Sequence, residues 1–376
     1  MKIDILGAGI GGLTTAVALE QKGIDYTIYE SAETIKLAGT GIIMANNAMQ
    51  VFQKLGLREE LEALGNHISS LNITEASLKT VSKVDLSYFE QKYQVKNVAV
   101  HRGVLQQMLL KHIDTSKLKL GKRLVQINKE HPYTLKFDDG TTASSQAIIG
   151  ADGIHSVVRK EFFPKFQIRK AKQVCWRGVV KYELPQDLIG ELKEAWYNNL
   201  RFGFVQIAKD KVYWYALTTF NNSIDEHQKD QLKEKFNKFH PIVGELIGLT
   251  PVDQIHTDEV SDLKPISSWA TGNVCLLGDA AHAMTPNLGQ GACQAIEDAY
   301  VLSECLEKYP LQEAFKKYQK LRIAKAQSLV KTSWHIGKMA HVKNPFLAKC
   351  VNFMLKNSPE VMRKKQSEKL FKIATV

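Results

Sequence analysis

The sequence is poor in the features that mark secreted, metal-binding and membrane-spanning proteins. Its five cysteines lie far apart without a C-x-x-C pair, which argues against a disulfide framework or a zinc site. No run of about 18 apolar residues occurs, so we expect no transmembrane helix. The N-terminus, MKIDILGAGIGGL, starts directly with a strand pattern and lacks the regions of a signal peptide. We therefore expect a cytoplasmic protein without a metal site.

Acidic residues are scarce near the C-terminus. From Lys308 to the end the chain has 16 Lys and Arg but 3 Glu, a charge of +13, and the whole chain carries +11. This segment lacks the pattern of aromatic residues interspersed among basic ones, and it lacks a known nucleic-acid-binding module. We therefore expect no nucleic-acid partner. Two interpretations stay open: a solvated helix face, or weak contact with anionic membrane surfaces, because the apolar stretch NPFLAKCVNFML adjoins the basic residues.

The first thirty residues predict a strand, a tight glycine turn, a helix and a second strand. Gly7, Gly9 and Gly12 form G-x-G-x-x-G, and Glu30 ends the second strand, 18 residues after Gly12. In this arrangement the first glycine makes the turn, the second admits a pyrophosphate and the third allows close helix–strand packing. The helix N-terminus then binds phosphate, and the acid accepts hydrogen bonds from a ribose. The segment therefore predicts a dinucleotide site, although it does not distinguish FAD from NAD.

Only one such motif occurs in the chain. The lack of a second G-x-G-x-x-G argues against a reductase that has separate domains for FAD and NAD. Further on, GADGIHSVVRK follows a predicted strand from Ala147 to Gly150. There Asp152 is interpreted either as a ligand-binding carboxylate or as the cap of a helix that begins near Ser156.

Residues 166–265 differ in composition from the rest of the chain. They contain several strands rich in aromatic residues, interrupted by one helical stretch at 227–239. Trp176, Tyr213 and Trp214 are each more simply explained as core residues. As a set, however, we expect some of them to line a ligand pocket.

A third motif, GDAAHAMTPNLGQGACQAIEDA, occupies residues 278–299. We expect Asp279 to end a buried strand and to bind a polyol chain. Gly289 and Gly291 leave backbone N–H groups unobstructed at the start of the next helix. A helix start of this kind stabilises negative charge, such as that on the pyrimidine edge of a reduced flavin.

Together these three motifs resemble the class A FAD-dependent aromatic-ring monooxygenases, which have the para-hydroxybenzoate hydroxylase-like fold. The resemblance is nearest to the branch of urate hydroxylase and zeaxanthin epoxidase, and it weakens after about residue 335. It implies an α/β fold with a Rossmann-type FAD-binding domain, an interleaved β-sheet substrate domain and C-terminal helices. The corresponding ranges are 1–69, 101–165 and 266–330 for FAD binding, 70–100 and 166–265 for the substrate, and 331–376 for the C-terminal helices.

The resemblance also implies functions for individual residues. FAD binding is assigned to Gly7, Gly9, Gly12, Glu30, Lys36, Gly41, Arg102, Val125, Asp152, Asp279, Gly289, Gly291 and Ala292. Lys36 stands at the family's basic position, whereas Ala45 replaces a proline that many relatives have. Arg201 and Tyr213 are the candidates for the substrate wall, with Arg177 in reserve, and a surface position for Arg201 is the alternative.

The family's chemistry would require FAD, NADH or NADPH, and O2. NAD(P)H reduces the flavin, O2 adds to it, and the hydroperoxide hydroxylates an aromatic or heterocyclic small molecule. An epoxidase or antibiotic-modifying monooxygenase on the same scaffold remains an alternative, and so does a non-oxygenating FAD oxidoreductase. A flavin-dependent halogenase is disfavoured because the sequence lacks W-x-W-x-I-P. The oligomeric state, monomer or homodimer, stays open.

Overall fold

The strands form two large sheets and two small ones. A computed structural model describes residues 2–35, 39–220, 229–342 and 344–376. In chain order the strands are β1 (Ile3–Leu6), β2 (Tyr26–Tyr29), β3 (Gly41–Met44), β4 (Asn66–Ile68), β5 (Ser70–Glu75), β6 (Thr80–Asp85), β7 (Asn97–His101), β8 (Leu118–Lys119), β9 (Leu124–Asn128), β10 (Tyr133–Phe137), β11 (Thr142–Ser145), β12 (Ile148–Gly150), β13 (Ile168–Lys181), β14 (Glu191–Tyr197), β15 (Leu200–Ala208), β16 (Lys211–Thr219), β17 (His256–Leu263), β18 (Ala270–Thr271) and β19 (Val274–Leu276).

The helices connect and cover these sheets. In chain order they are α1 (Ile10–Gln21), α2 (Asn46–Lys54), α3 (Arg58–Leu64), α4 (Ser87–Tyr93), α5 (Arg102–Leu110), α6 (Val157–Phe162), α7 (Lys229–Lys235), α8 (Pro241–Leu249), α9 (Asp279–His282), α10 (Gly291–Lys308), α11 (Leu311–Ala340), α12 (Pro345–Lys356) and α13 (Glu360–Phe371). Within the described ranges, no helix is both long enough and apolar enough to cross a membrane.

The first large sheet is parallel except at one edge. Its strand order is β18-β19-β12-β1-β2-β8, and β18 pairs antiparallel with β19. Leu6 pairs with both Tyr29 and Gly150, and Gly150 pairs with Leu276. The carboxyl ends of four strands therefore meet at one edge, which is where open α/β sheets bind ligands. The predicted Rossmann-type α/β fold is confirmed.

The second large sheet has two faces with different environments. Its order is β17-β13-β16-β15-β14-β5-β6, so its strands are taken from two separate stretches of the chain. On one face Trp176 and Trp214 belong to a buried cluster with residues of α7 and α8. Because side chains alternate along a strand, Arg201 and Tyr213 lie on the opposite face. Because this sheet combines strands from two stretches of the chain, we propose residues 70–100 and 166–265 as the substrate domain. Residues 1–69, 101–165 and 266–330 are then the FAD-binding domain.

A three-stranded sheet packs against the second large sheet. Its order is β3-β7-β4, and β7 also packs against β15 of the second large sheet. Close approach is possible because Gly41 in β3 lacks a side chain: a Cβ there would lie 2.3 Å from Cγ of Tyr213. The other small sheet, β11-β10-β9, contains a hairpin in which β10 pairs antiparallel with β11.

A cluster of buried charges holds α10 against α11. Arg322 of α11 donates from Nε to Asp298 at 2.7 Å, and its Nη1 pairs with Glu297. Both carboxylates and the guanidinium are fully buried. Lys325 adds a second cation, 2.7 Å from Glu297. Burial of these groups is tolerated because each charge has a partner of opposite sign.

The same cluster reaches the loop before α10. Asp298 accepts a hydrogen bond from the backbone N–H of Gly278 at 3.1 Å and pairs with Nε2 of His282 at 2.5 Å. Burial alone would raise the pKa of Asp298, but His282 and Arg322 outweigh it and hold that pKa at about 2. The motif at 278–299 is thus fixed to the helix pair behind it through the buried pair of His282 and Asp298.

The end of the chain packs against α2, α4 and α10. Phe371 is buried, with its ring 4.9 Å from that of Phe89. Gln50 of α2 donates to the carbonyl of Phe371 at 2.8 Å, and the N–H of Ala374 donates to Glu297 at 3.3 Å. The last residues are therefore anchored in the fold, beyond α12.

Replacing the buried arginine should destabilise the fold strongly. In Arg322→Met, Glu297 and Asp298 lose their main counter-charge at a fully buried position, so we expect a loss of about 3–5 kcal/mol in the free energy of unfolding. Lys320→Met, at an exposed position of the same helix, should change it by less than about 0.5 kcal/mol. Chemical denaturation of both variants measures the difference, and equal effects would contradict this account.

Candidate functional site

The glycine turn after β1 has the geometry of a dinucleotide site. Gly7 has φ +106°, a conformation that other residues rarely adopt. A Cβ on Gly12 would lie 2.0 Å from the carbonyl oxygen of Gly7, so only glycine allows α1 to pack this closely. Around Gly9, by contrast, a Cβ would meet no protein atom within 4 Å. The backbone of Gly9 therefore borders open space at the N-terminus of α1, which no side chain caps.

An open cavity of about 560 Å³ adjoins this turn. It is lined by Ala8, Gly9, Glu30, Ala32, Glu33, Thr34, Ile35, Arg102 and Gln106. The cavity thus brings together Gly9, Glu30 and Arg102, which were predicted from distant parts of the sequence. Gln106, which the sequence did not indicate, donates to the carbonyl of Ala8 at 2.9 Å and holds the turn in place.

Glu30 is fixed by backbone donors on both sides. Its Oε2 accepts from the N–H of Ala8 at 2.7 Å, and its Oε1 accepts from that of Ala32 at 2.8 Å. Oε1 also accepts from the hydroxyl of Ser31 at 3.1 Å, whereas Oε2 keeps a second lone pair to which a ribose hydroxyl can donate. Arg102 is the exposed first residue of α5.

Asp152 caps a helix and also keeps one free oxygen. Its Oδ2 accepts from the N–H groups of Val157 and Val158, at 2.7 and 3.2 Å, at the start of α6. Its Oδ1 is buried and has no hydrogen-bond partner among the described residues. Burial raises the pKa of this carboxyl. This oxygen can accept from a hydrogen-bond donor of a ligand, so the two interpretations of Asp152 are compatible.

Asp279 lies in a different element from the one expected. It opens the short helix α9 after β19, three residues beyond Leu276, instead of ending the strand. The change follows from Gly278, whose φ of +60° turns the chain at the end of the strand. The Asp279 side chain is exposed to the space in front of α10, with Oδ1 4.0 Å from the Cβ position of Gly291. The pKa of Asp279 is raised above its ordinary value, because desolvation by the surrounding protein atoms outweighs the positive charges of His282 and Arg102.

The start of α10 is open on the same side. The helix begins at Gly291, without a side-chain cap and without an acidic residue in its first turn. Gly289 has φ +61°, and its Cβ position meets no protein atom within 4 Å. Ala292 follows in the first turn and is half-buried. These N–H groups are available to a ligand that carries negative charge.

Two of the predicted FAD residues stay without a defined contact. Lys36 lies outside the described residues. Val125 is 51 % exposed on β9 and is not one of the residues that line the cavity. Both assignments remain proposals.

The predicted substrate wall contains a buried ion pair. Arg201 is 2 % exposed and therefore does not lie at the surface. Its Nε and Nη2 lie 2.8 and 2.7 Å from Oε1 of Glu194 on the neighbouring strand β14. Oε2 of Glu194 accepts from the hydroxyl of Tyr215 at 2.5 Å. Burial alone would raise the pKa of Glu194, but Arg201 and Tyr215 lower it, so the carboxylate is ionised.

The substrate wall also touches the segment before α10. Nη1 of Arg201 donates to Oδ1 of Asn287, two residues before Gly289. Asn287 is held in turn by the hydroxyl of Thr285 at 2.8 Å and the carbonyl of Ser333 at 3.0 Å. The wall and the helix start predicted to hold a flavin edge are therefore neighbours.

Tyr213 completes this face of the sheet. Its ring packs against Gly41 and lies 5.9 Å from the ring of Tyr215, and burial raises its pKa. Trp176 and Trp214 instead belong to the core behind the sheet. The reserve candidate Arg177 donates from Nε to Sγ of Cys175 at 3.3 Å and lies 3.4 Å from Asp258.

The sequence patterns did not point to three residues of this wall. Glu194 lies in the strand ELKEAWY, where an acid between apolar residues is a signal of a buried pair. Asn287 lies inside the motif at 278–299, but nothing in the sequence indicated Arg201 as its partner. His341, at the C-cap of α11, gives no sequence signal. Burial and the charge of Arg201 lower its pKa to about 4, so the ring is neutral near pH 7.

These features fit FAD in an extended conformation. The space at Gly9, the orphaned Oδ1 of Asp152, the Asp279 carboxylate and the open helix start at Gly291 form a series of contacts for one long dinucleotide. Within the described ranges, no group of three or more His, Cys, Asp or Glu side chains is arranged to hold a metal ion.

Two glycine substitutions separate cofactor binding from packing. In Gly9→Ala, backbone angles of −67° and 178° suit alanine, so folding should be unchanged, while the methyl group enters the space next to the pyrophosphate. We expect FAD affinity to fall about tenfold or more, equivalent to at least ~1.4 kcal/mol.

Gly12→Ala should instead destabilise the FAD-free protein by about 1–3 kcal/mol, because its Cβ overlaps Gly7. FAD titration and denaturation measure the two effects. Tight FAD binding by Gly9→Ala would contradict the assignment.

Comparison with known proteins agrees with this geometry. The model of the FAD binding domain family matches residues 1–333. Among curated relatives, aurachin C monooxygenase/isomerase of Stigmatella aurantiaca is 35 % identical over 353 residues, covering 92 % of this chain and 91 % of that protein. The 2-heptyl-3-hydroxy-4(1H)-quinolone synthase of Pseudomonas aeruginosa is 31 % identical over 381 residues, covering 99 % and 98 %.

Solved structures give the same result. HpxO of Klebsiella pneumoniae, in complex with FAD and uric acid, superposes with a TM-score of 0.89 at 27 % identity, covering 99 % of this chain and 97 % of that one. The FAD-dependent urate hydroxylase of Klebsiella pneumoniae is 30 % identical over 347 residues, covering 88 % of each chain. The family resemblance and the FAD cofactor expected from the sequence are both confirmed. The chain belongs to the FAD binding domain family and is an FAD-dependent monooxygenase of the class A aromatic-ring type.

Proposed function

We propose that this protein is a single-component hydroxylase that uses NADH or NADPH and O2 to hydroxylate an aromatic or heterocyclic small molecule. The observation that carries this proposal is the hydrogen bond from Arg201 to Asn287. It joins the buried polar group of the substrate wall to the segment that leads into the flavin-edge helix. A substrate held by the wall is thereby next to the reactive end of the cofactor, which is the geometry that oxygen transfer requires.

The residues of the chain supply binding and orientation. When bound, FAD supplies the redox and oxygen-activating chemistry. Gly9 and the N-terminus of α1 would hold its pyrophosphate, Glu30 its ribose and Asp279 its ribityl chain. The N–H groups at Gly291 and Ala292 would stabilise negative charge on its ring. Because one dinucleotide motif serves FAD, NAD(P)H must bind without a Rossmann domain of its own.

The wall favours an uncharged substrate that carries a carbonyl group. Arg201 is already neutralised by the ionised Glu194, so a substrate anion would face a carboxylate at close range. Of the five N–H donors of Arg201, three have partners among the described residues, which leaves two for a carbonyl oxygen. Two relatives at 31–35 % identity are named for aurachin C and a quinolone. We therefore propose a neutral nitrogen heterocycle of the quinolone kind as substrate.

One experiment separates this function from its alternatives. Purified FAD-loaded protein is supplied with NADH or NADPH under ¹⁸O₂ and a panel of quinolones, purines and phenols. We expect substrate-stimulated NAD(P)H oxidation and one ¹⁸O atom in a ring-hydroxylated product. An epoxide or a modified antibiotic would instead support the alternative monooxygenase activities. Oxidation of NAD(P)H without labelled product would show a non-oxygenating oxidoreductase and overturn the proposal.

The ion pair provides a specificity test. Glu194→Gln keeps the shape but leaves Arg201 with an unpaired charge, so the ratio of kcat/KM for carboxylate-bearing over neutral analogues should rise about tenfold, or ~1.4 kcal/mol. Arg201→Ala should raise KM strongly for the neutral substrate while FAD content stays intact.

Glu191→Gln on the same strand is the matched control. Glu191 pairs with Lys83 and Lys193, away from Arg201, so its removal should leave the specificity ratio unchanged. If Glu194→Gln leaves the ratio unchanged as well, Arg201 does not contact the substrate.

A further inference from the structure

Helix α12 presents an apolar stripe to solvent. The exposed residues of the stripe recur at helical spacing and are Phe346, Leu347, Cys350, Phe353 and Met354. Phe346 is 72 % and Phe353 70 % exposed, so both rings are largely in water. On the other side of the helix, Val351 and Leu355 are half-buried against the protein. The helix is therefore seated in the fold by one face and offers a second apolar face to a partner.

The stripe continues beyond α12. Val361 and Met362, at the start of α13, are 77 % and 56 % exposed. Tyr88 of α4 is 42 % exposed, and Nζ of Lys364 lies 5.2 Å from the centre of its ring. Three neighbouring elements thus contribute to one surface, which we call the C-terminal apolar surface: Tyr88, Phe346, Leu347, Cys350, Phe353, Met354, Val361 and Met362.

Positive charge surrounds the C-terminal apolar surface. Residues 344–376 contain seven Lys and Arg and two Glu, a net charge of +5. Both glutamates are already paired, Glu360 with Lys364 at 2.8 Å and Glu368 with Lys92. Exposed lysines that these glutamates do not neutralise lie on α12 and α13: Lys349, Lys356, Lys365 and Lys369.

We propose that the C-terminal apolar surface docks onto the face of a lipid bilayer that contains anionic lipids. Exposed Phe, Leu and Met side chains with lysines beside them are the composition of helices that lie in the plane of a membrane interface. The aromatic and aliphatic side chains enter the boundary between headgroups and acyl chains, and the lysines bind the anionic headgroups. A second copy of the chain fits less well, because a symmetric dimer through this surface would bring two charges of +5 together.

The position of the surface relates it to the substrate wall. α12 begins four residues after His341, whose Nδ1 lies 3.1 Å from Nε2 of Gln173 on β13, and α11, which precedes it, holds Asn287 through the carbonyl of Ser333. Docking would therefore hold the wall near the bilayer, where apolar heterocycles concentrate. This consequence rests on the proposed function, whereas the docking itself does not.

Vesicle sedimentation with the full-length, FAD-loaded protein tests the proposal. Vesicles of phosphatidylcholine alone are compared with vesicles that also contain phosphatidylglycerol. We expect binding to the anionic vesicles about tenfold stronger than to the neutral ones, and weaker at high salt. The double variant Phe346→Ser/Phe353→Ser should lose about tenfold or more of this binding, since both side chains are exposed and their loss leaves the core intact.

A matched control is available outside the C-terminal apolar surface. Leu249 and Val252 are 57 % and 67 % exposed near the end of α8, so Leu249→Ser/Val252→Ser removes similar apolar area without touching the C-terminal apolar surface. Its vesicle binding should equal that of the wild type. Absence of wild-type binding, or equal binding by the phenylalanine variant, overturns the proposal.

Self-association is a separate outcome of the same experiment. Should the wild type sediment as a dimer, the phenylalanine variant as a monomer and neither bind lipid, the surface is a protein interface and the proposal is wrong. NAD(P)H oxidation with a water-soluble substrate, measured on the same samples, reports the enzymatic function independently. An inactive protein that still shows the predicted vesicle pattern would contradict the proposed function and leave the docking in place.

Discussion

The cofactor site depends on one constraint: four strands of a parallel sheet end at the same edge. Gly7 follows β1, Glu30 follows β2, Asp152 follows β12, and Gly278 and Asp279 follow β19. Parallel pairing in register brings these segments together although Gly7 and Asp279 are 272 positions apart in the chain. A turn residue with a side chain would fill the space that a dinucleotide needs, which is why glycine occurs where the backbone must approach the ligand.

The rest of the structure keeps this edge in a fixed relation to the substrate sheet. The buried cluster around Arg322 fixes α10, and through His282 and Gly278 it fixes the turn that carries Asp279. On the other side, Gly41 lets β3 pass directly against Tyr213. Arg201 and Asn287 then connect the two halves by a hydrogen bond between a buried guanidinium and a half-buried amide. Such bonds are directional, so they define the distance between wall and cofactor more sharply than apolar packing alone.

The charged side chains of the substrate wall and those of the last helices lie in different environments. Arg201 and Glu194 of the substrate wall are paired with each other and shielded from solvent. The charged side chains of the last helices are exposed and largely positive, beside apolar side chains that the fold does not cover. A paired charge acts on its surroundings at short range, whereas a group of unpaired exposed charges acts over a longer distance.

The sequence by itself determined the adenosine half of the site and the fold class. The glycine spacing at 7–12 and the acid at Glu30 are local patterns, imposed by backbone geometry within one strand–turn–helix unit, and such patterns can be recognised without tertiary contacts. Only the tertiary structure decided that Asp279 opens a helix and that Tyr213, not Trp176 or Trp214, shares a face of the sheet with Arg201. It also decided that Arg201 is buried against Glu194 and Asn287. These outcomes depend on which face of a strand meets which neighbour and on contacts between residues up to 86 positions apart. A period of two along a strand identifies two faces, but only packing decides which of them becomes the site.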